Sequence, residues 1–202
     1  DSWWLRAYAG GWFPMASQNG ACLELFRSRR RALLPLDGSH HVPRSLRRTL
    51  ARGCFHFSLN RAFDSVLEGC ANRPSTWISP ELARLYRRFH RAGFAHSVEA
   101  WDRDELAAGM LAIAIGGCWI GETMMHRRSD AGNVLLVGLI EALRAGGFAV
   151  FDVQLSTPHL ARFGCQEIND VDYGVLLRQA RDRFARLSLG DDSITSEGWM
   201  RE

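Results

Sequence analysis

The sequence contains no lysine: all 25 of its Lys+Arg positions are arginine, and with 22 acidic residues its formal net charge is only +3. The arginines concentrate in the first third of the chain, at 27–31 (RSRRR) and 44–52 (RSLRRTLAR). Guanidinium groups pair with phosphate oxygens in a bidentate geometry. These two runs are compatible with a nucleic-acid partner but do not require one, and a GC-rich genome is the simpler origin of an all-arginine composition.

The sequence also lacks a cysteine framework and a membrane segment. Its five cysteines are odd in number and never occur as CxxC, which favours a reducing cytoplasm over disulfides or a zinc site. No apolar run approaches the roughly 20 residues that cross a bilayer, and the start does not resemble a signal peptide. We therefore expect a cytoplasmic protein with no membrane partner. Because the chain begins with Asp1 rather than Met, we expect its natural N-terminus to lie upstream.

Several motifs of common enzyme classes are absent. There is no G-x-S-x-G of serine hydrolases, and GGCWIG at 116–121 does not fit the dinucleotide-binding G-x-G-x-x-G. His40 and His41 have no carboxylate or cysteine at metal-ligand spacing. The turn at 126–133 (HRRSDAGN) has one glycine, where an acyl-CoA transferase needs a glycine-rich loop for the pyrophosphate. We predict neither a metal nor a cofactor.

Hydrophobic periodicity predicts an α+β fold with mixed-sheet strands and flanking helices. The second half carries three successive antiparallel strands, a helix, a strand and two more helices, an order typical of an N-acetyltransferase-like core. These elements are predicted at 95–102, 105–117, 118–125, 131–145, 151–155, near 159–163, and at 175–187. Upstream, CLELFR (22–27) and ALLPLD (32–37) predict a hairpin.

We expect three parts in the chain. A small N-terminal α/β lobe covers 1–53, the transferase-like domain covers 54–190, and a polar tail covers 191–202.

The stretch FDVQLSTPHL (151–160) combines a core strand with two polar side chains. Phe151, Val153 and Leu155 alternate as a buried strand should. Asp152 and Gln154 lie on the opposite face, one pleat repeat or about 6–7 Å apart. We expect the carboxylate and the carboxamide to act beside one substrate.

Three other short segments place aromatic or acidic residues next to turns. AYAGGWFP (7–14) puts Tyr8 and Trp12 around a tight turn, STWISP (75–80) puts Trp77 before a helix, and GETMM (121–125) puts Glu122 at a strand end. Each alone is typical of a core aromatic or a solvated carboxylate. Their joint occurrence with DVQ favours a functional site.

The chain resembles the leucyl/phenylalanyl-tRNA–protein transferase family over about Leu5 to Ile168, as a divergent and N-terminally shortened member. The resemblance rests on a succession of motifs in the same order. These are LRAYAGGWFP, PRSLRRTL, TWISPELARLYRRFHRAGFAHSVEAWDRDELAAG, WIGETMM and FDVQLSTPHLARFGCQEI.

The resemblance implies that the chain moves leucine or phenylalanine from its tRNA to the N-terminal Arg or Lys of a protein, marking that protein for degradation. It also implies a fold akin to the Fem-type transferases, and recognition of the donor chiefly through its 3′-terminal aminoacyl-adenosine. Aromatic side chains stack on a base with about 1–3 kcal/mol each, which suits such a single-stranded end.

The resemblance also assigns roles to residues. Trp77 would lie against the terminal adenosine with Tyr8 near it, and Trp12 would replace the tryptophan that the family has where Met15 stands. Thr157 is a further candidate for substrate binding. The pocket for the apolar donor side chain would be lined by Met110, Trp119, Leu136, Leu139 and Phe151.

Three polar residues are the candidate catalytic centre. Glu122 and Asp152 would form an acidic pocket for the cationic residue of the acceptor, because Coulomb attraction grows in a dry site. The Gln154 carboxamide would donate a hydrogen bond to Asp152 or to a neighbour, and its oxygen would accept one from the attacking amine and so aim it.

Two alternatives stay open at this point. One is an acyl or aminoacyl transferase of the same superfamily that does not use tRNA. The other is a non-catalytic protein that binds basic N-termini. We expect a monomer in each case.

Overall fold

The structure is a computed structural model that describes residues 2–17, 22–73 and 76–196. Its helices are α1 (Ser2–Ala9), α2 (Arg44–Arg52), α3 (Phe63–Ala71), α4 (Pro80–Arg91), α5 (Ala131–Ala145), α6 (Pro158–Ala161) and α7 (Asp170–Arg181). Its strands are β1 (Phe13–Ala16), β2 (Leu23–Phe26), β3 (Arg30–Leu34), β4 (His56–Leu59), β5 (Ala95–Asp102), β6 (Glu105–Ile115), β7 (Cys118–His126), β8 (Val150–Gln154), β9 (Gln166–Asn169), β10 (Ala185–Leu189) and β11 (Asp192–Ser196).

A mixed sheet organises the molecule. Within the described ranges it has seven strands in the order β4-β5-β6-β7-β8-β3-β9. β7 and β8 run parallel and are connected through α5, while the other neighbouring pairs of the sheet run antiparallel. Two antiparallel pairs, β1-β2 and β10-β11, lie outside this sheet. The predicted α+β class with a mixed sheet and flanking helices is confirmed.

Two apolar layers cover the two faces of the sheet. Along β6, Met110 and Ala112 face one layer and Leu111 and Ile113 face the other, as the two-residue period of a strand requires. The first layer, which we call the α5 face, contains the buried residues of α5. The second layer contains residues of α1, α3, α4 and α7, and we call it the α4/α7 face.

The second half of the chain follows its hydrophobic pattern closely. The three antiparallel strands are β5, β6 and β7, and the helix predicted at 131–145 is α5. The helix predicted at 175–187 is wrong in its bounds, because α7 ends at Arg181 and the alternating segment 185–189 forms β10.

The predicted hairpin in the first part is wrong as well. β2 pairs with β1, and β3 lies between β8 and β9 in the main sheet. β3, which lies in the segment 1–53, is therefore part of the seven-stranded sheet. In the segment predicted as a polar tail, 192–196 pairs with β10, and 197–202 lies outside the described residues.

None of the helices in the described ranges is both long and apolar enough to cross a membrane.

Candidate active site

The candidate site lies where β7 and β8 diverge. These parallel strands are paired from Cys118 and Val150 up to Ile120 and Asp152. Glu122 follows on β7 just beyond the last pair. Its carboxyl group and that of Asp152 both contact side chains of the α4/α7 face.

A β-bulge sets the direction of Glu122. Leu111 pairs with Thr123 and the next residue, Ala112, pairs with Gly121, so that Glu122 is the extra residue on β7. A bulge re-aims the side chain that it carries. Here it turns a carboxyl group into an otherwise apolar layer.

Helix α4 supplies the hydrogen-bond partner of Glu122. The helix starts at a well-formed cap, where Ser79 Oγ accepts a hydrogen bond from the Leu82 N–H at 3.2 Å. Its buried stripe brings the Tyr86 hydroxyl to Glu122 Oε2, to which it donates at 2.8 Å. The buried Tyr8 hydroxyl of α1 lies nearby and interacts with the same carboxyl group.

Burial raises the pKa of Glu122 from its usual 4.5 to about 7. The hydrogen bond from Tyr86, the polar groups of Tyr8 and Gln154 beside the carboxyl group, and the charge of Arg31 act in the opposite direction without cancelling the desolvation. Glu122 therefore exchanges its proton near neutral pH, and a cation brought to it would favour the ionised form.

The carboxyl group of Asp152 has a different environment, because it already takes part in a buried ion pair. It is 0% exposed and forms a buried ion pair with Arg31 of β3, whose Nε donates to Oδ2 at 3.1 Å. The Tyr173 hydroxyl donates to the same oxygen at 2.6 Å. The other oxygen, Oδ1, accepts the backbone N–H of Gln154 at 2.7 Å.

Gln154 has a backbone conformation that is unusual for its residue type. Its φ is 63°, in the left-handed region, and the Leu155 N–H donates to the Val153 carbonyl at 2.7 Å. This tight turn ends the strand pleat, so that the Gln154 side chain interacts with Glu122. Of the two predicted partners of the Gln154 carboxamide, Asp152 accepts the backbone N–H of Gln154 instead, and the side chain interacts with a neighbour, Glu122.

Four buried polar atoms of this centre have no hydrogen-bond partner of normal geometry among the described residues. They are the Tyr8 hydroxyl, Glu122 Oε1, Gln154 Nε2 and Arg31 Nη1. Buried polar atoms without partners are uncommon in native proteins and call for an explanation. The atoms of Tyr8, Glu122 and Gln154 lie around one carboxyl group, as substrate-binding atoms would before a substrate is bound.

Tyr8 and Trp77, predicted to lie at the terminal adenosine, both belong to the α4/α7 face, while Trp12 and Thr157 are not among the residues of that layer. Trp77 is half-buried before α4 and packs on that layer, whereas Tyr8 is fully buried. Trp12 is 40% exposed and lies under the Arg27 guanidinium, 5.8 Å from the ring centroid. Thr157 caps α6 by accepting the Leu160 N–H at 3.1 Å.

The residues predicted for the donor side chain are brought together, but on the α5 face. All five are buried in one apolar cluster: Met110, Trp119, Leu136, Leu139 and Phe151. Gly121 lies against this cluster, because a Cβ there would lie 3.5 Å from both Met110 Sδ and Phe151 Cε2.

Two surface pockets lie farther along β7 and do not include the carboxyl groups. One is lined by Trp101, Arg127 and Arg128 among others, and the second by Arg73, Met124 and His126 among others. Of the two carboxyl groups of the centre, Glu122 is 9% exposed and Asp152 is 0% exposed, so Glu122 is the more accessible.

Sequence reasoning missed three residues of the centre: Arg31, Tyr86 and Tyr173. Tyrosine offered a signal, because the chain has only three and all of them contact or flank the two carboxyl groups. Arg31 offered none, since it stands in an arginine run that looks like a solvated surface.

Comparison with known proteins gives a consistent result. Residues 33–178 match the family described as leucyl/phenylalanyl-tRNA protein transferase. A leucyl/phenylalanyl-tRNA–protein transferase of Synechococcus sp. (strain JA-3-3Ab) is 49% identical over 87% of this chain and 91% of its own length. Proteins with the same name from Nostoc sp. (strain PCC 7120) and Salinibacter ruber are each 46% identical, over 87% and 79% of this chain and 92% and 70% of their own lengths.

Proposed function

The chain belongs to the leucyl/phenylalanyl-tRNA–protein transferase family, and from this premise we propose that it transfers leucine or phenylalanine from aminoacyl-tRNA to the N-terminal Arg or Lys of acceptor proteins, marking them for degradation. The observation that carries the acceptor preference is Glu122. It is a buried carboxyl group with no ion pair among the described residues and an oxygen that lacks a partner.

The reaction is aminolysis of an ester. The acceptor α-amine attacks the aminoacyl carbonyl carbon, the new C–N bond forms, and the C–O bond to the ribose breaks as a proton passes from the amine to the ribose oxygen. An α-amine has a pKa near ~8, so a usable neutral fraction is present at cytoplasmic pH. The protein has mainly to orient the amine and receive its hydrogen bond.

The polar residues divide this work between them. Glu122 pairs with the cationic side chain of the acceptor, which restores its ionised form in a site of low dielectric constant. The Gln154 carboxamide accepts a hydrogen bond from the amine and so aims it at the carbonyl. Asp152 does not face the acceptor cation, because Arg31 already neutralises it, and acts through the backbone turn of Gln154.

The donor is held on both sides of the diverging strands. Its adenosine stacks on Trp77 with Tyr8 nearby, and its apolar side chain enters beside Gly121 toward the cluster of Met110 and Phe151. The exposed arginines of α2 give the tRNA backbone a cationic surface; they are Arg44, Arg47, Arg48 and Arg52.

We also propose a fold type, a cellular location and an oligomeric state. The parallel β7-α5-β8 unit with its diverging strands supports an N-acetyltransferase-like fold of the Fem type. The aminoacyl-tRNA in the name of the family supports a cytoplasmic setting. We further propose that the protein acts as a monomer.

The direct test incubates the purified protein with leucyl-tRNA or phenylalanyl-tRNA and a peptide that starts with arginine. Mass spectrometry is expected to show a peptide longer by one leucine or phenylalanine. Peptide binding without extension would favour a non-catalytic binder. Absence of both binding and extension would favour a transferase that does not use tRNA.

Trp77→Ala is expected to weaken donor binding by roughly 1–3 kcal/mol, because one stacking surface for the adenine is lost. The donor KM should rise accordingly while the peptide KM stays unchanged. Steady-state kinetics with Trp3→Ala as control, an exposed tryptophan of α1, measures the effect. An unchanged donor KM for Trp77→Ala would contradict the stacking role.

A further inference from the structure

We infer that Arg31 and Tyr173 are positioning residues for the transfer reaction: they hold one oxygen of Asp152, so that its other oxygen fixes the backbone turn that aims Gln154 at Glu122. This inference rests on the function proposed above and concerns two residues outside the GE and DVQ motifs.

Arg31 is enclosed by aromatic rings and by the carboxylate. It is 2% exposed, and its guanidinium carbon lies 5.2 Å from the ring centroid of Phe13 and 4.7 Å from that of Tyr173. Its Nε and one NH2 group both donate to Asp152 Oδ2. A cation that is shut off from water needs such a partner, and the two hydrogen bonds from Arg31 fix the orientation of the Asp152 carboxyl group.

Tyr173 closes the same arrangement from α7. Its hydroxyl donates to Asp152 Oδ2 at 2.6 Å and lies 3.4 Å from an Arg31 NH2 group. Gly11 has a φ of +84°, and a Cβ at this position would lie 3.2 Å from Tyr173 Cε1. The AYAGGWFP turn therefore holds the tyrosine ring between its own backbone and the guanidinium.

The consequence for Gln154 follows from the two oxygens of one carboxylate. With Oδ2 held by Arg31 and Tyr173, Oδ1 points at the Gln154 N–H and accepts it at 2.7 Å. Gln154 has a left-handed φ of 63°, which residues other than glycine seldom adopt. If the carboxylate rotated, the turn would lose its acceptor and the carboxamide its direction toward Glu122.

The test uses Tyr173→Phe, which removes the hydroxyl and keeps the ring on Gly11. Hydrogen exchange of the Gln154 amide is expected to become at least about tenfold faster. The kcat for transfer should fall roughly tenfold, because a hydrogen bond to a charged group is lost, while the KM of both substrates changes by less than about twofold.

Arg31→Met is expected to have the larger effect, about a hundredfold on kcat, with Arg144→Met in an exposed ion pair as the matched control.

A double-mutant comparison distinguishes positioning from general support of the fold. On an Asp152→Asn background, Tyr173→Phe should lower the residual kcat no further, because both changes act through the same carboxylate. A further loss that multiplies the first, or an unchanged Gln154 exchange rate in Tyr173→Phe, would overturn the inference. If the wild-type protein transfers nothing while the exchange rate does change, the proposed function fails and the positioning network stands. Should Arg31→Met not fold, Tyr173→Phe alone decides.

Discussion

Replacement of Asp152 by asparagine is expected to slow transfer at least about a hundredfold and to destabilise the fold at the same time. The two oxygens of Asp152 serve different donors, Arg31 and Tyr173 at Oδ2 and the Gln154 N–H at Oδ1. Asparagine has one carbonyl oxygen, so either the Arg31 and Tyr173 donors or the Gln154 N–H would face an NH2 group. The buried guanidinium of Arg31 would also lose its counter-charge, which costs about 3–5 kcal/mol when one partner of a buried pair is removed.

Urea unfolding and single-turnover transfer measure the two effects of Asp152→Asn. We expect the free energy of unfolding to fall by about 3 kcal/mol or more, and the transfer rate to fall at least about a hundredfold. The double variant Arg31→Met/Asp152→Asn is the control, because it removes both charges; it should regain most of the stability and remain inactive. A single variant that keeps its stability and more than about a tenth of its activity would contradict this role of Asp152.

Glu122→Gln is expected to remove the preference for a basic acceptor. The substitution keeps the shape of the side chain and its contact with Tyr86 while it deletes the charge that pairs with the acceptor. Truncating one member of a buried, hydrogen-bonded charge pair costs about 2–5 kcal/mol. The KM for an arginine-starting peptide should therefore rise roughly 30-fold or more, and the donor KM should change little.

The same substitution should stabilise the folded protein above neutral pH. The pKa of Glu122 is raised from 4.5 to about 7, so the folded state binds its proton more tightly than the unfolded state does. Stability is therefore lost as the pH rises from about 4.5 to about 7, with a total near ~3 kcal/mol. Glutamine does not ionise, and Glu122→Gln should be about 2–3 kcal/mol more stable than the wild type at pH 8 and nearly equal to it at pH 4.5.

Thermal or urea unfolding of wild type and Glu122→Gln across this pH range measures the difference. Glu167→Gln, an exposed carboxylate paired with Arg30, is the control and should show no comparable pH dependence. Equal stability of wild type and Glu122→Gln at every pH would show that burial does not raise the pKa of Glu122. The contact between Glu122 and the acceptor would then be tested only by the KM for the arginine-starting peptide.

Local patterns were enough to predict the elements that rest on local chemistry. The strands β5 to β7 and helix α5 follow from two-residue and 3.6-residue periods, and α4 from its Ser79 cap and Pro80. Two further local signals lie near the C-terminal end of the chain. Asn169 caps α7 by accepting the Val171 and Asp172 N–H groups, and the alternation over 185–189 is that of a strand.

Non-local pairing could not be predicted in this way. The apolar segment after the arginine run fits many partners, and only the tertiary structure places β3 between β8 and β9. For the same reason Arg31 could not be distinguished from its neighbours, since its partner Asp152 is 121 residues away.

The sequence predicted three polar residues that do lie together, but it did not predict how they are arranged. Glu122, Asp152 and Gln154 do meet, yet Asp152 is neutralised by a residue that the motifs do not include. The left-handed turn at Gln154 also breaks the strand alternation from which a direct contact between the two side chains was expected. A period of two carries no information about a turn that a buried carboxylate holds in place.

The most direct measurement compares transfer to two peptides that differ only at their first residue, arginine or its neutral isostere citrulline. We predict that the wild type prefers arginine strongly, that Glu122→Gln loses this preference, and that the residual activity of Asp152→Asn retains it. The opposite result, a preference lost in Asp152→Asn and kept in Glu122→Gln, would contradict the assignment of Glu122 as the carboxylate that binds the acceptor.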